Sequence, residues 1–126
     1  MSQVKLFTLE QANALLPQLE ELLGDLVSLR AEMTEQSQKA EAFLNKANGN
    51  GGGNRANQFV INMQHFQALL QTIEAIGCEI KDLDMGLVDF RTRREGRIVY
   101  LCWKRGEAQI AFWHELETGF TSRQPL

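Results

Sequence analysis

The chain has 126 residues, 44% of them hydrophobic and 23% charged, with a formal net charge of −3. These values are typical of one soluble domain that buries a core without disulfides, and the negative charge argues against general binding of nucleic acid or anionic membranes. No apolar run approaches the roughly 20 residues of a membrane span, and no signal peptide is evident. Because Cys78 and Cys102 fit no disulfide framework, the sequence predicts a reduced cytoplasmic protein. The chain length predicts a single domain over residues 1–126.

The first predicted element is a long helix within residues 1–47. Thr8-Leu9-Glu10-Gln11 has the form of a capping box, which places the start of the helix at Leu9. Apolar side chains then recur in steps of three and four residues, and a sustained seven-residue repeat is typical of coiled-coil helices that pack on a helical partner. This stripe contains Leu9, Ala12, Leu16, Leu19, Leu23, Leu26, Met33, Ala40, Leu44 and Ala47.

Pro17 interrupts this helical pattern. A proline inside a helix removes one backbone hydrogen bond, and its ring clashes with the preceding turn. Two interpretations stay open: a kink in one long helix, or a short helix over residues 9–15 followed by another that begins near Pro17.

A glycine-rich segment over residues 48–54 separates this helix from a second one, predicted over residues 55–78. No Gly-Lys-Ser or Gly-Lys-Thr follows the glycines and no strand precedes them, so they predict a turn rather than a phosphate-binding loop. The second helix repeats the four–three spacing at Phe59, Met63, Phe66, Leu70, Ile73 and Gly77.

The unequal lengths of the two helices have consequences for packing. Folded back antiparallel, the second helix covers only roughly residues 24–47 of the first, so the leucine-rich start over residues 9–23 needs cover from the C-terminal segment. Each helix also carries more than one apolar edge, which a two-helix hairpin cannot bury alone. The sequence therefore predicts a homodimer through the helix stripes, most simply four helices about a two-fold axis.

Residues 79–126 have the periodicity of strands. The segments 97–103 and 109–114 are rich in β-forming side chains, and the glycine-containing segment 104–107 between them predicts a hairpin turn. A further strand is expected within residues 79–82, 87–90 or both. The predicted fold class is therefore α+β: a long antiparallel helical hairpin with a small C-terminal antiparallel sheet of about three strands.

The two faces of this predicted sheet are both largely apolar, so one should lie on the helices and the other under the C-terminal tail or a second subunit. If Gly106 has a left-handed backbone conformation in a three-residue turn, the turn fixes which residues of the two strands share a face. One face then carries Tyr100, Cys102, Ile110, Phe112 and His114, and the other carries Val99, Leu101, Trp103, Ala111 and Trp113.

These segments resemble the domain-of-unknown-function family 2203, and the resemblance covers essentially the whole chain. It implies a small bacterial or archaeal cytoplasmic protein with no assigned activity, and it supplies no catalytic residues. The matching segments are Phe7-Thr8-Leu9-Glu10-Gln11-Ala12-Asn13-Ala14-Leu15-Leu16-Pro17, Lys81-Asp82-Leu83-Asp84-x-Gly86-Leu87-Val88-Asp89-Phe90, Leu101-Cys102-Trp103, Gly106-Glu107, Trp113-His114-Glu115 and Gly119-Phe120-x-x-Arg123-Gln124-Pro125.

Carboxylates and one imidazole are concentrated between residues 82 and 115. A divalent metal would take oxygen and imidazole ligands from neighbouring strands, and Asp89, Glu107 and His114 form the alternative ligand set. No histidine pair has ligand spacing, and turns and ion pairs explain clustered carboxylates equally well. The leading prediction is therefore that the protein binds no metal and uses no cofactor.

A second chemical possibility is a nucleophile pair of Cys102 and His114, which can share a sheet face. A cysteine inside an aromatic strand is more often a small core residue, and no oxyanion donor is evident. His114 is therefore predicted to form hydrogen bonds at the edge of the sheet.

The arginines of this region receive two different interpretations. Residues 91–97 hold four arginines without interleaved aromatic side chains, which predicts a solvated loop and argues against nucleic-acid binding. Arg123 is predicted to bridge to Asp89 or Glu107 and to hold the tail over the sheet.

Two functions are consistent with these patterns. The leading one is a non-enzymatic, dimeric interaction or scaffold protein whose polar–aromatic sheet recognises an unknown protein or small-molecule partner. The alternative is a small-molecule-binding or metal-dependent enzyme. In the first case Asp89 and His114 should have internal partners, whereas in the second they should face a common cleft. The candidate ligand-binding residues are Asp89, Trp103, Glu107, Trp113, His114 and Arg123.

Overall fold

The computed structural model describes residues 4–46 and 53–126, and within them the fold is α+β, as predicted. Two helices precede an antiparallel sheet whose five strands lie side by side in chain order, whereas the sequence predicted about three strands. The elements are α1 (Leu9–Lys46), α2 (Gly53–Ile76), β1 (Glu79–Asp82), β2 (Leu87–Arg94), β3 (Arg97–Lys104), β4 (Phe112–His114), a 3₁₀ turn (Phe120–Ser122) and β5 (Gln124–Pro125). Neither of the described helices is long and apolar enough to cross a membrane.

Helix α1 begins with the predicted capping box. The Thr8 backbone N–H donates to Gln11 Oε1 at 3.0 Å, and the Gln11 N–H donates back to Thr8 Oγ1 at 3.1 Å. The helix continues through Pro17 to Lys46, so of the two interpretations that the sequence left open, the one with two separate helices is wrong. Because Pro17 is exposed while Leu16 and Leu19 are buried, packing on one side of the helix offsets the backbone bond that proline removes.

Helix α2 begins and ends earlier than predicted. Residues 48–52 of the predicted glycine turn lie outside the described residues, and Gly53 and Asn54 belong to the helix. At the other end Gly77 is not part of the apolar stripe, because it has a φ of +102° and terminates the helix.

The sheet extends further than the sequence indicated because β2 includes the arginines of residues 91–94. Arg94 pairs with Arg97 across a tight turn formed by Glu95 and Gly96, whose φ angles are +52° and +79°. The prediction of a solvated loop over residues 91–97 is therefore wrong. The signal that it missed was the turn residue Gly96 between two alternating segments.

Strand β4 is shorter than predicted because residues 108–111 leave the sheet. The Ile110 N–H donates to Asn13 Oδ1 of α1 at 2.8 Å, and its side chain is part of the core instead of sharing a face with Phe112. Nearby, Glu20 of α1 accepts hydrogen bonds from Arg105 Nε and from the Gly106 N–H at 3.1 and 2.8 Å. These contacts fix the segment that carries Glu107 against α1.

The core lies between the first half of α1 and one face of the sheet, which we call the helix face. This arrangement confirms that the C-terminal segment covers the leucine-rich start of α1. The buried cluster contains Phe7, Ala12, Leu16, Leu19, Leu23, Leu26, Ile73, Cys78, Val88, Phe90, Leu101, Trp103 and Ile110.

Candidate functional site

Three side chains that carry reactive groups meet on the sheet face opposite the helix face. We call this face the second face. Asp89 of β2 lies directly opposite Cys102 of β3, and His114 of β4 lies opposite Tyr100, two residues before Cys102. Because side chains alternate between faces along a strand, Asp89, Cys102 and His114 point to the same side. One donor atom from each residue lies within 4.8 Å of the other two.

This cluster is closed to solvent. Asp89, Cys102 and His114 retain 2%, 1% and 2% of their accessible surface. A carboxyl and an imidazole buried to this degree need internal partners, because an unpaired charge or polar group carries a large desolvation cost. The hydrogen bonds of His114 show what those partners are.

The two ring nitrogens of His114 are both engaged. Nδ1 lies 2.8 Å from the Glu115 carbonyl oxygen, which only accepts hydrogen bonds, so Nδ1 carries a hydrogen. Nε2 lies 2.9 Å from Asp89 Oδ2. One proton between this nitrogen and the carboxyl oxygen completes the contact. Burial raises the pKa of Asp89, which favours retention of that proton.

Cys102 is a protonated thiol in this environment. Burial, reinforced by the neighbouring Asp89 carboxylate, raises the pKa of Cys102 to about 11. The thiol is 1% exposed, and Nε2 of His114 is directed at Asp89 rather than at sulfur. The idea of a Cys102–His114 nucleophile pair is therefore wrong, because a catalytic cysteine needs a lowered pKa and access to substrate.

Arg123 forms the predicted bridge, and its partner is Glu107. Two of its nitrogens donate to the two Glu107 carboxylate oxygens at 3.2 and 2.9 Å. Glu107 is itself held by the Lys104 backbone N–H, which donates to Oε1 at 2.7 Å. The guanidinium carbon lies 4.0 and 4.4 Å from the ring centroids of Phe112 and Phe120. The tail is thus fixed on the second face by an ion pair and by stacking.

The two tryptophans belong to the opposite side of the sheet. Trp103 is fully buried in the core, and its Nε1–H donates to the Glu107 carbonyl oxygen at 2.9 Å. Trp113 lies beneath Arg94 and Arg97, whose guanidinium carbons are 4.9 and 5.6 Å from its ring centroid. Strand alternation therefore separates both rings from the Asp89–His114 pair, although all were candidates for one binding site.

A second polar cluster, centred on Glu79, lies on the second face and was not predicted from the sequence. Lys81 Nζ and Tyr100 Oη donate to Glu79 Oε1 at 3.0 and 3.1 Å, and Arg91 Nε donates to Oε2 at 2.9 Å. Burial opposes ionisation of Glu79, but these three hydrogen bonds outweigh it and lower its pKa. The Tyr100 ring lies 5.3 Å from that of His114, which connects the two clusters.

Neither the position of Cys102 beside Asp89 nor the cluster around Glu79 was predicted from the sequence. Polar residues alternate along β1 to β3, but the alternation alone does not show which of them lie side by side. The pairing of Asp89 with both Glu79 and Cys102 decides this. Of the alternative metal-ligand set, Asp89 and His114 lie together, and Cys102 rather than Glu107 lies beside them. Glu107 is engaged by Arg123 instead.

Open grooves lie elsewhere on the surface. One of about 340 Å³ is bordered by Asn13, Glu20 and Glu107, where α1 meets the segment after β3. Two others, of about 410 and 400 Å³, lie beside the N-terminal segment and beside the turn before β2. Neither Asp89 nor His114 borders any of these three grooves in the described part of the chain.

Comparison with known proteins identifies the family. A family model matches residues 5–126, in agreement with the likeness of the first and last segments. The chain belongs to DUF2203, the family described as "Uncharacterized conserved protein". No curated protein and no solved structure matches it.

Proposed function

We propose that this protein is a non-enzymatic interaction protein that forms a homodimer through its helices. In this proposal residues 1–126 act as one domain, and the polar and aromatic rim of the second face contacts a partner. The observation that carries the proposal is the closed Asp89–His114 pair, whose polar atoms are satisfied inside the chain.

The closed pair argues against an acid–base catalyst at this position. A general acid or base must come within hydrogen-bond reach of the proton that it transfers. Asp89 and His114 contact each other and a backbone carbonyl, and they are at most 2% exposed. Among the described side chains, none has a buried nitrogen or oxygen without a hydrogen-bond partner. These groups therefore have the internal partners expected of structural residues, and the enzymatic alternative gains no support.

The dimer contact is best supported on α2. Val60 and Met63 are 46% and 38% exposed, and with the half-buried Leu70 they form a stripe at helical spacing, the α2 stripe. Over its 24 residues α2 contains only two formally charged residues, Arg55 and Glu74. A nearly uncharged surface can meet a second copy of itself without like-charge repulsion, which is what a two-fold contact requires.

The helix pairing that this dimer requires is an antiparallel hairpin, which we include in the proposal. In the seam, Asn62 Nδ2 donates to Gln36 Oε1 of α1 at 3.1 Å, and Gln58 Nε2 donates to Asn62 Oδ1 at 3.0 Å. A buried amide between two helices favours one register because a shift leaves it without a partner. Asn62 therefore supports a single alignment of the two helices, with the α2 stripe left outside it.

The partner surface follows from the charge on the second face. Around the closed cluster, the partly accessible basic groups Lys81, Arg91, Lys104 and Arg123 outnumber the carboxylates Glu79 and Glu107. The half-buried Phe120 ring lies beside Lys104 and Arg123, and the half-buried Phe112 ring lies beside Arg123. Basic groups next to aromatic rings suit a protein segment that carries carboxylates. We therefore assign an acidic protein segment as the partner class.

The dimer is tested by adding a charge to the α2 stripe. The double variant Val60→Glu, Met63→Glu should be monomeric in native mass spectrometry and light scattering at concentrations where the unaltered protein is dimeric. The double variant Ala68→Glu, Ala75→Glu is the matched control because it adds the same two charges on an exposed part of α2 away from the stripe. A monomeric unaltered protein, or dissociation by the control alone, would contradict the proposed dimer.

A further inference from the structure

We propose that the buried cluster of Asp89, Cys102 and His114 binds one zinc-class divalent metal ion that ties β2, β3 and β4 together beneath the C-terminal tail. This goes beyond the proposed function, and it does not depend on it. The role is structural, because the three ligands are sealed from solvent rather than open to a substrate. The second carboxylate oxygen of Asp89 completes the four donor atoms that a structural zinc ion requires.

The positions of the donor atoms are close to those of a metal site. Zinc bonds of about 2.0–2.3 Å in a tetrahedral arrangement place ligand atoms about 3.3–3.6 Å apart. Nε2 of His114 and Oδ2 of Asp89 are 2.9 Å apart, and all three donor atoms lie within 4.8 Å. Two small adjustments reach the spacing of a zinc site: Nε2 and Oδ2 move apart by a few tenths of an ångström, and rotation of the Cys102 side chain moves its sulfur by about 1 Å. The pairing of the three strands already brings the ligands together.

The orientation of His114 has the form of a metal ligand supported by its surroundings. Histidines that bind metals generally donate their other ring N–H to a carbonyl or carboxylate, which fixes the tautomer. Here Nδ1–H donates to the Glu115 carbonyl oxygen, so the lone pair of Nε2 points at the carboxyl of Asp89. Two electron-rich atoms face each other across 2.9 Å, and a cation between them replaces the shared proton.

Charge balance also fits a divalent ion. A carboxylate, a thiolate and a neutral imidazole carry a net charge of −2, which one M²⁺ neutralises. The adjacent Arg123–Glu107 ion pair is itself neutral, so the sealed region holds no excess charge. Binding of the ion releases two protons, one from the Asp89–His114 pair and one from the Cys102 thiol. Sulfur, imidazole and a single carboxylate favour zinc over magnesium or calcium, which prefer all-oxygen sites.

The test uses the full-length protein without a histidine tag, first treated with a chelator and then titrated with Zn²⁺ and Co²⁺. Metal analysis should give one ion per chain, and Zn²⁺ should raise the melting temperature. Co²⁺ should produce a sulfur-to-metal charge-transfer absorption. Proton release of about two per ion, measured with a pH indicator, should accompany binding.

Two variants and one control make the test specific. Asp89→Asn keeps a hydrogen-bond donor to Nε2 and so preserves the fold, but it should weaken Zn²⁺ binding at least about tenfold. Cys102→Ser should abolish the charge-transfer absorption. Cys78→Ser is the matched control because Cys78 is also buried but bonds only to the Ile73 carbonyl, and it should leave both signals unchanged.

The proposal is overturned if the unaltered protein retains no metal after dialysis and its melting temperature does not respond to Zn²⁺. It is also overturned if Asp89→Asn, confirmed as folded by circular dichroism, binds Zn²⁺ as tightly as the unaltered protein. The latter result would assign the ion to another position.

Discussion

The two faces of the sheet are equally buried at their centres but are stabilised in different ways. On the helix face, Val88, Phe90 and Trp103 have no accessible surface and pack against the leucines of α1. On the second face, Asp89 and His114 are almost as inaccessible, and they form hydrogen bonds with each other and with the Glu115 carbonyl oxygen. The first face is held by apolar burial, which needs volume and shape. The second needs each polar atom to meet one particular partner.

The difference between the faces predicts different responses to substitution. Apolar contacts are non-directional, so a loss on the helix face should scale with the volume removed and should not depend on pH. Hydrogen bonds and ion pairs are directional, so a loss on the second face should depend on charge state and on the geometry of the replacement. The three predictions below probe these responses, from the largest expected effect to the smallest.

The largest effect is expected for Phe90→Ala on the helix face. The Phe90 ring is fully buried and makes an edge-to-face contact with Phe7, at a centroid distance of 5.3 Å and an interplanar angle of 84°. Removal should lower the free energy of unfolding by about 3–5 kcal/mol in urea denaturation, equally at pH 5 and pH 8. Phe112→Ala on the second face is the control, with a smaller loss because Phe112 is half-buried. Equal losses for both variants would remove the proposed distinction.

An intermediate effect is expected for Arg123→Ala on the second face. This change removes the paired hydrogen bonds to Glu107 and the stacking on Phe112 and Phe120. The free energy of unfolding should fall by roughly 1–3 kcal/mol, since the pair is only partly accessible. The unfolding free energy of Arg123→Lys should lie between those of the unaltered protein and Arg123→Ala, because lysine keeps the charge but not the planar fork.

The control for Arg123 is Arg93→Ala, which removes the same charge from an exposed position of β2. Its free energy of unfolding should stay within about 0.5 kcal/mol of the unaltered protein. If Arg123→Ala were equally neutral, the ion pair would not be what holds the tail on the sheet.

The smallest effect is a pH dependence carried by Asp89. Burial raises its pKa above the unfolded value of about 3.9, so the folded state keeps a proton that the unfolded state releases. Its contribution to stability is fully present below that unfolded pKa and is lost as the pH rises through the folded pKa. Asp89→Asn stays neutral at every pH and should not show this loss.

The measurement is the difference in unfolding free energy between the unaltered protein and Asp89→Asn, taken in the presence of a chelator. The stability of the unaltered protein relative to the variant should decrease as the pH rises above about 4. A difference that increases with pH would mean that the Asp89 carboxylate is stabilised as an anion, contrary to the shared proton.

Particular residues show how far the sequence could be interpreted. Thr8 and Gln11 marked the start of α1 correctly, because a capping box depends on four consecutive residues. The turn around Gly106 and the bridge from Arg123 to Glu107 were also correct. The continuation of α1 through Pro17 was not predictable from the sequence. Packing of the helix on strands that are distant in the chain decides whether the helix tolerates the lost hydrogen bond.

The candidate site shows the same boundary between local and distant information. The alternation about Gly106 correctly placed Cys102 and His114 on one face of the sheet and both tryptophans on the other. The position of Asp89 beside Cys102 and His114 was not predicted, because it depends on the register of β2 against β3. A list of reactive residues could be read directly, whereas their grouping required the pairing of strands that are far apart in the chain.

By itself, the sequence determined the α+β class, the start of α1 and the family, because these depend on local capping, periodicity and spaced motifs. Only the tertiary structure decided that the sheet has five strands and that Asp89, Cys102 and His114 share one closed cluster. The physical reason is that side-chain direction in a sheet has a period of two, so one residue of register moves every group to the opposite face.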